Sequence, residues 1–495
     1  MTALAGLVAR AHRAFAPHPA VLDGAGGRPV RFSELGARAR SAAGALARLG
    51  LRPGDRVLIA LDNRAETLPL EHGVWLGGFV RVAVGSRLHP REIAEIAADC
   101  AASVVVCERT AAGALPGGVR AVTPGPELDA LFNGPDEYEP PGVSPDDLAA
   151  LMYTSGSTGR PKGAKVTGGA WVAMLDAMWA ALPPIGPGDV VLHAAPMSHF
   201  GGSVGSAYTL AGAAALPLAR FDAAEVLAAA ERHAVTAMPM VPTMLERLTA
   251  AAVRRPESLR AIVYGAAPIS VPAQLRAREA FGDVLHQFYG LSEALAPLTV
   301  LSPEDHATGD PAVLSSAGRP VPSVQITVTG TDGAPLPAGE VGEITVRGPQ
   351  VMPGYWADGP ATAAALTGDG AFRTGDLGSL DRDGRLRLAG RRSEVVVTGG
   401  YNVHPAEVEQ AIAALEGVAE VAVLGVPDAA WGETVAAVVV RRPGAPGGPV
   451  TEDDIVRACA ARLAGYKKPR RIVFADELPR NSTGKVAKRA LRDLF

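Results

Sequence analysis

Residues 153–163, YTSGSTGRPKG, crowd hydroxyl side chains, glycines and a lysine directly behind the apolar run LAALM. Glycines let backbone N–H groups turn inward around an anion, and Ser, Thr and Lys side chains add donors and positive charge, so this is a loop for holding phosphate. The pattern G-x-x-x-x-G-K-[ST] is absent, because Pro161 precedes Lys162 and Gly163 follows it. The loop therefore points to a nucleotide outside the P-loop class. A flexible linker would also use Gly and Ser, but it has no need of the continuation TGRPKG. Four further segments carry chemistry. YGAAP (264–268) ends an apolar strand in small residues, against which a flat ring can lie. QFYGLSEA (287–294) sets an aromatic, a glycine, a hydroxyl and a carboxylate close together at a strand end. FRTGDLG (372–378) is expected to present Asp376 on a tight turn, and NSTGKVAKRAL (481–491) to present Lys485 on a glycine turn.

The elements that must position these residues follow from periodicity. Short β-rich runs, RVLIAL (56–61), SVVVCE (103–108), VVLHAAP (190–196), VTAMPMVP (235–242) and RAIVYGAAP (260–268), alternate with alanine-rich helical patterns such as 225–233. That rhythm belongs to wound, largely parallel α/β sheets. Between Val321 and Arg347 two alternating strands around Gly/Pro turns predict a small antiparallel β subdomain. After Arg391 a compact α+β unit is expected. Pro405 opens a helix with Val408, Ile412 and Leu415 on one face, strands VAEVAVLGV and ETVAAVVVRR follow, then a helix from near Thr451 and a strand RIVF. The expected organisation is an α/β fold with a large N-terminal domain over 1–390, a hinge at 391–394 and a small α+β C-terminal domain over 395–495.

Bulk properties narrow the function classes. The chain has 495 residues, long enough for several cores, and its 47 basic and 51 acidic residues nearly cancel. No overall field recruits nucleic acid or an anionic membrane, so a small-molecule partner is expected. Cys100, Cys107 and Cys459 form no C-x-x-C pair, which fits reduced thiols in a cytoplasmic protein. The long uncharged run 200–219 contains Gly201, Gly202, Gly205, Gly212 and Pro217 and reads as a buried segment, not a membrane span. The N-terminus lacks the order of a secretory signal.

With the five segments in this order and spacing, the chain resembles the adenylate-forming superfamily of acyl-CoA synthetases, nonribosomal peptide adenylation domains and luciferases. The resemblance runs over nearly the whole length and includes residues 390–409. It implies ATP, Mg²⁺ and CoA as reaction partners. A carboxylate attacks the α-phosphate of ATP, pyrophosphate leaves, and the acyl-AMP passes its acyl group to a thiol. Thr154, Ser155, Gly156, Ser157, Thr158, Gly159 and Lys162 would embrace the β- and γ-phosphates, and Glu293 would hold Mg²⁺. Tyr289, beside Gly290, would stack on adenine, with Gly265, Ala266 and Ala267 giving backbone contacts and Ser292 reaching the α-phosphate. Asp376 would accept both ribose hydroxyls and Arg391 would approach from the hinge. Lys485 would bridge the two anions that must meet in line. Lys488 and Arg489 read as solvated charges on a terminal helix. In the second half-reaction the C-terminal domain turns on the hinge and offers Gly399, Gly400 and Tyr401 to the pantetheine arm.

Two departures from the family pattern concern that turn. Ser393 stands where the family has Asp or Lys at the pivot, with Glu394 beside it, and Tyr401 gives GGYN where GGEN is commoner. An enzyme specialised for one half-reaction is therefore an open alternative. The acid pocket is expected around 196–208, 240–244, YGAAP and the residues after Glu293, with His199 gating it against the pantetheine channel. No Asp or Glu lies in the first of these segments, which argues for an uncharged or aromatic carboxylic acid, fatty acids included, over an amino acid. Gly201, Gly202, Ser203 and Gly205 are expected to leave room for the acyl group. Lys467, Lys468, Arg470 and Arg471 could meet the phosphates of CoA or the acidic face of an acyl or peptidyl carrier protein. Two other classes remain: a serine hydrolase using Ser203 in the G-x-S-x-G match GGSVG, and a non-catalytic acyl or nucleotide binder.

Overall fold

The computed structural model describes residues 4–24, 26–139, 141–154, 161–398, 401–428, 431–445, 448–480 and 486–495. Among them the chain builds four sheets. The first has six strands in the order Arg120–Val122, Val104–Cys107, Arg56–Ala60, Val80–Ala83, Leu148–Thr154 and Lys162–Thr167. All neighbours are parallel except the last pair. Its central strands are apolar runs buried on both faces, the condition parallel strands need when helices cover them. The second sheet has nine strands around a parallel centre of Leu285–Tyr289, Ala261–Gly265, Ala237–Met240, Val190–His193 and Ala214–Pro217. The β-runs anticipated from the sequence fall on strands of these two sheets.

The antiparallel sheet is larger than its sequence pattern suggests. Gln325–Thr329 and Gly342–Arg347 are joined by Phe372–Leu380 and Leu386–Arg391. Asp376 is accordingly not on a tight turn but inside the strand Phe372–Leu380. Thr345 pairs with Arg373 and Glu343 with Leu377, so residues 374–376 bulge out opposite Ile344, and Gly375 supplies the left-handed φ of +71° that this needs. The glycine that looked like a turn makes a bulge that re-aims Asp376.

The fourth sheet runs Tyr401–Val403, Val396–Thr398, Gly432–Arg441, Val418–Asp428, with Arg471–Ala475 parallel to Gly432–Arg441. Helices Pro405–Ala413 and Glu452–Ala460 cover it, the latter opened by a Thr451–Asp454 capping box, and Val408, Ile412, Val423, Val435 and Ile455 form a core of their own.

The segment 200–219 is a buried helix, Phe200–Leu210, followed by the strand Ala214–Pro217. GGSVG therefore lies within a helix, and the strand, sharp turn and helix that a hydrolase elbow requires are missing at Ser203. Its glycines do not leave room for an acyl chain either. A Cβ on Gly202 would stand 1.8 Å from the carbonyl oxygen of Met197, and one on Gly205 2.2 Å from His193 Cε1. They let the helix press against the segment that precedes it. Among the described residues no helix is long and apolar enough to cross a membrane.

Candidate active site

Four elements bring their ends together. Leu285–Tyr289 finishes on Tyr289, Ala261–Gly265 on Gly265, and Leu148–Thr154 on Thr154, while the 374–376 bulge delivers Asp376. Ligands of open α/β sheets bind outside the carboxyl ends of strands for this reason. The Tyr289 hydroxyl donates to Asp376 Oδ2 at 2.6 Å, and Arg391 Nε lies 2.6 Å from Oδ1, across a register pair between strands. Burial, with the Asp376 charge second, pushes the Tyr289 hydroxyl well above the ordinary phenol range, so it stays protonated as a donor.

A second carboxylate is held in the same way. Tyr355 donates its hydroxyl to Glu293 Oε1 at 3.0 Å, Thr154 Oγ1 lies 3.5 Å from that oxygen, and Lys162 Nζ stands 5.4 Å from the Tyr355 ring centroid. Burial and the Glu293 charge push the Tyr355 phenol up as well. Thr154, Lys162 and Glu293 thus gather around Tyr355, and Tyr289 and Arg391 around Asp376. Tyr153, the first residue of the loop motif, turns away and donates to Asp99 at 2.5 Å.

The strand-end backbone is shaped for close approach. A Cβ on Gly265 would meet the Phe288 carbonyl oxygen at 2.3 Å, and one on Gly290 would meet Ala296 Cα at 2.6 Å. Ala266 holds φ +67°, a left-handed conformation that costs an alanine about 1–2 kcal/mol. Such strain collects at functional sites. Ala267 follows it, and Ser292 is half-buried. His199 caps the helix Phe200–Leu210, and its Nδ1 lies 2.7 Å from Ser198 Oγ. Ser155, Gly156, Ser157, Thr158 and Gly159, the Gly399–Gly400 pair and Lys485 lie outside the described residues.

Several residues differ from their sequence reading or were missed by it. Lys488 is not solvated. Its Nζ stands 2.9 Å from both Glu394 and Glu409. Burial would lower its pKa, but Glu409 and Glu394 outweigh that and hold it above the ordinary lysine value. Lys467 is paired with Glu407 at 2.6 Å, Arg470 lies over the Trp431 ring at 4.3 Å and Arg471 donates to the carbonyl of Phe495. Tyr401 is exposed and stacks on Tyr466 at 4.6 Å. Tyr355 gave no signal, because its partner is 62 residues away.

The donors present suit a nucleotide with Mg²⁺. Among the described residues no group of three His, Cys, Asp or Glu side chains gathers to hold a metal. Mg²⁺ needs none, since it binds through one or two carboxylates with phosphate oxygens and water, and Glu293 supplies a carboxylate beside the phosphate loop. Glu293 beside Thr154 and Lys162, with Asp376 on its bulge against Tyr289, is the arrangement expected of an adenylate-forming enzyme.

Comparison with known proteins agrees. The AMP-binding enzyme family matches residues 8–356 and the AMP-binding enzyme C-terminal domain matches 407–485. The chain is similar to a feruloyl-CoA synthase of Amycolatopsis sp, 37% identical over 95% of each chain. It is also similar to a 2-succinylbenzoate–CoA ligase of Geobacillus kaustophilus, 35% identical over 98% of this chain and 96% of that one. Among solved structures, ATP-bound MatB from Rhodopseudomonas palustris superposes with a TM-score of 0.89, at 32% identity over 99% of this chain and 98% of that one. The chain belongs to the AMP-binding enzyme family. It is an AMP-forming acid–thiol ligase of the acyl-CoA synthetase class, working with ATP, Mg²⁺ and CoA.

Proposed function

We propose that the enzyme activates an aromatic carboxylic acid and passes it to CoA, with the roles of individual residues as follows. The observation that carries this reading is the pair of carboxylates, Asp376 and Glu293, each held by a tyrosine hydroxyl. Asp376 accepts the ribose hydroxyls, steadied by Tyr289 and Arg391, while the Tyr289 ring and the Gly265–Ala267 backbone bound the adenine. Thr154, Lys162 and the loop 155–159 hold the β- and γ-phosphates, and Ser292 the α-phosphate. Glu293 holds Mg²⁺, which when bound neutralises phosphate charge. Lys485 brings the substrate carboxylate in line with the α-phosphate; the new C–O–P bond forms as the bond to pyrophosphate breaks. The thiol sulfur then attacks the acyl carbonyl, its proton is lost and AMP leaves, with His199 between pocket and channel and Gly399, Gly400 and Tyr401 along the pantetheine arm.

An aromatic acyl group is supported by the printed substrates of two relatives, feruloyl and 2-succinylbenzoate, and the absence of Asp and Glu from 196–208 argues against an acyl group that carries an ammonium. We place the hinge at 391–394, between an N-terminal domain over 1–390 and a C-terminal domain over 395–495. Arg391 pairs with Asp376 and Arg392 with Glu343, both toward the N-terminal side, whereas Glu394 pairs with Lys488 on the C-terminal side. Ser393 stands between the two sets of ties. CoA is favoured over a carrier protein as acceptor because the relatives are printed as CoA synthases and ligases. Buried, unpaired cysteines suit the cytoplasm.

The test is a panel of aromatic, fatty and amino acids with ATP, Mg²⁺ and CoA, following AMP and thioester together. Equal AMP and thioester with an aromatic acid is the expected result. AMP without thioester, or turnover only with a carrier protein, would redirect the reading to the other acceptor or to one half-reaction.

A further inference from the structure

The segment between His193 and His199 is held from the other sheet. Asn63, in the loop after Arg56–Ala60, is 8% exposed. Its Nδ2 lies 3.2, 2.9 and 3.1 Å from the carbonyl oxygens of His193, Ala195 and Leu218, and its Oδ1 accepts from Met197 N at 2.8 Å. Arg81, on the strand Val80–Ala83, is 1% exposed, and its Nη2 reaches the carbonyl oxygens of Met197 at 3.1 Å and Ser198 at 3.4 Å. Its charge is met by Glu71 of the helix Thr67–Leu76, with Nε 2.7 Å from Oε1. From the opposite side, Gly201 and Gly202 let the first turn of Phe200–Leu210 press onto the carbonyls of Pro196 and Met197.

A buried guanidinium and a buried carboxamide are expensive unless their donors are used. A buried ion pair can often be replaced by apolar side chains without loss of stability, so stability alone does not account for this one. Here both polar side chains spend hydrogen bonds on Ala195, Met197 and Ser198, in a stretch that ends next to His199. We propose that Asn63 and Arg81 are positioning residues that fix the backbone of 195–198 and through it the orientation of His199. This rests on the reading of His199 as the group between acyl pocket and thiol channel. Arg81 reaches the reaction only through that backbone, and Glu71 serves to neutralise Arg81.

The test uses the double variant Glu71→Leu/Arg81→Met, which removes both buried charges and leaves no unpaired one, with Asn63→Leu as a second route to the same loss. Hydrogen exchange at the amides of residues 195–199 is expected to rise about tenfold while the rest of the strand Val190–His193 keeps its protection. Thioester formation from supplied acyl-adenylate is expected to fall about tenfold or more, as a displacement near 1 Å can cost more than that. Combined with His199→Ala, the double variant should cause no further loss, because both changes act through one group. Arg81→Lys, which keeps the charge for Glu71, should recover part of the rate. Unaltered exchange at 195–199, or losses that multiply with His199→Ala, would overturn the proposal. If His199→Ala alone leaves both half-reactions unchanged, the gate reading falls, and exchange at 195–199 decides the positioning claim by itself.

Discussion

The cluster around Asp376 and Glu293 and the segment 391–394 beside it use the same carboxylate chemistry in different ways. Asp376 is buried, fixed by a neutral tyrosine hydroxyl and one arginine, and Glu293 is likewise held by a tyrosine. Glu394 and Glu409 instead share one lysine, with side chains 40% and 18% exposed. A carboxylate that accepts from a neutral hydroxyl is tied less through charge, and so less through anything salt screens, than one held by ion pairs alone. Glu394 is the more exposed of the two carboxylates on Lys488, and an ion pair to a carboxylate that open to water contributes about 0–1 kcal/mol. We propose that the ties on Asp376 and Glu293 persist while the Glu394–Lys488 tie exchanges, as a C-terminal domain that turned between two half-reactions would require.

The sharpest way to break that contrast is at Lys485. Lys485→Ala is expected to lower acid-dependent pyrophosphate exchange more than a hundredfold, the order of effect of one preorganised charge in a transition state. Thioester formation from supplied acyl-adenylate should be spared. Equal loss in both assays would mean that the lysine serves the cleft permanently and is not withdrawn with its domain. Next in size is Asp376→Asn, which removes the charge facing Arg391 and one acceptor. A rise of about thirtyfold in the KM for ATP is expected, since a hydrogen bond to a charged group is worth about 1.5–3 kcal/mol. A change confined to kcat would remove Asp376 from nucleotide binding.

Acid separates the two regions further. Burial holds His12, with help from Arg40 and Arg13, and His193 and His306 at about 4, all on the N-terminal side of residue 391. Their unfolded forms take up protons near 6.5 while the folded forms do not. The stability of this region is therefore fully present above about 6.5 and is lost as pH falls from there toward 4, by about 1.4 kcal/mol per pH unit for each histidine. Trp75 and Trp171, whose rings lie 5.2 Å apart in this region, give the readout. Their fluorescence melting temperature should drop steadily between pH 6.5 and 4.5. A flat profile over that range would show that the three rings become charged within the fold.

What could be read from the sequence had local causes. The β-runs, the strand end at Tyr289 and the helix opened by Pro405 follow from periodicity and from residues that start or stop elements, all within a few positions. Two of the misreadings share one source: a glycine states a conformation without stating its use. Gly375 serves a bulge and not a turn, and Gly201, Gly202 and Gly205 admit neighbouring atoms and not a substrate. Tyr355 on Glu293, Asn63 on the 193–197 segment and Lys488 on Glu394 link residues 62 to 134 positions apart. Only the packed fold could show those partners, because polar side chains on separate elements carry no period.

The smallest effect is the most telling for the hinge. Lys488 stays charged through neutral pH, because Glu409 and Glu394 raise its pKa above the ordinary lysine value despite burial. Its contribution is present below that ordinary value and is lost only as pH rises through the raised one, so pH is a poor probe of it at neutrality. Salt and mutation are better ones. Lys488→Met leaves Glu394 without that tie to the C-terminal side while Arg391 and Arg392 keep theirs to Asp376 and Glu343. The swivel is then expected to involve Glu394 as well as Ser393. A shift of about threefold in the ratio of thioester formation to pyrophosphate exchange should follow, with total stability changed by no more than about 1 kcal/mol. High salt, which screens an exposed pair, should move the unaltered enzyme in the same direction and the variant much less. If the variant keeps the parent ratio and the parent response to salt, Glu394 moves independently of Lys488, and the pivot is set by the backbone around Ser393 alone.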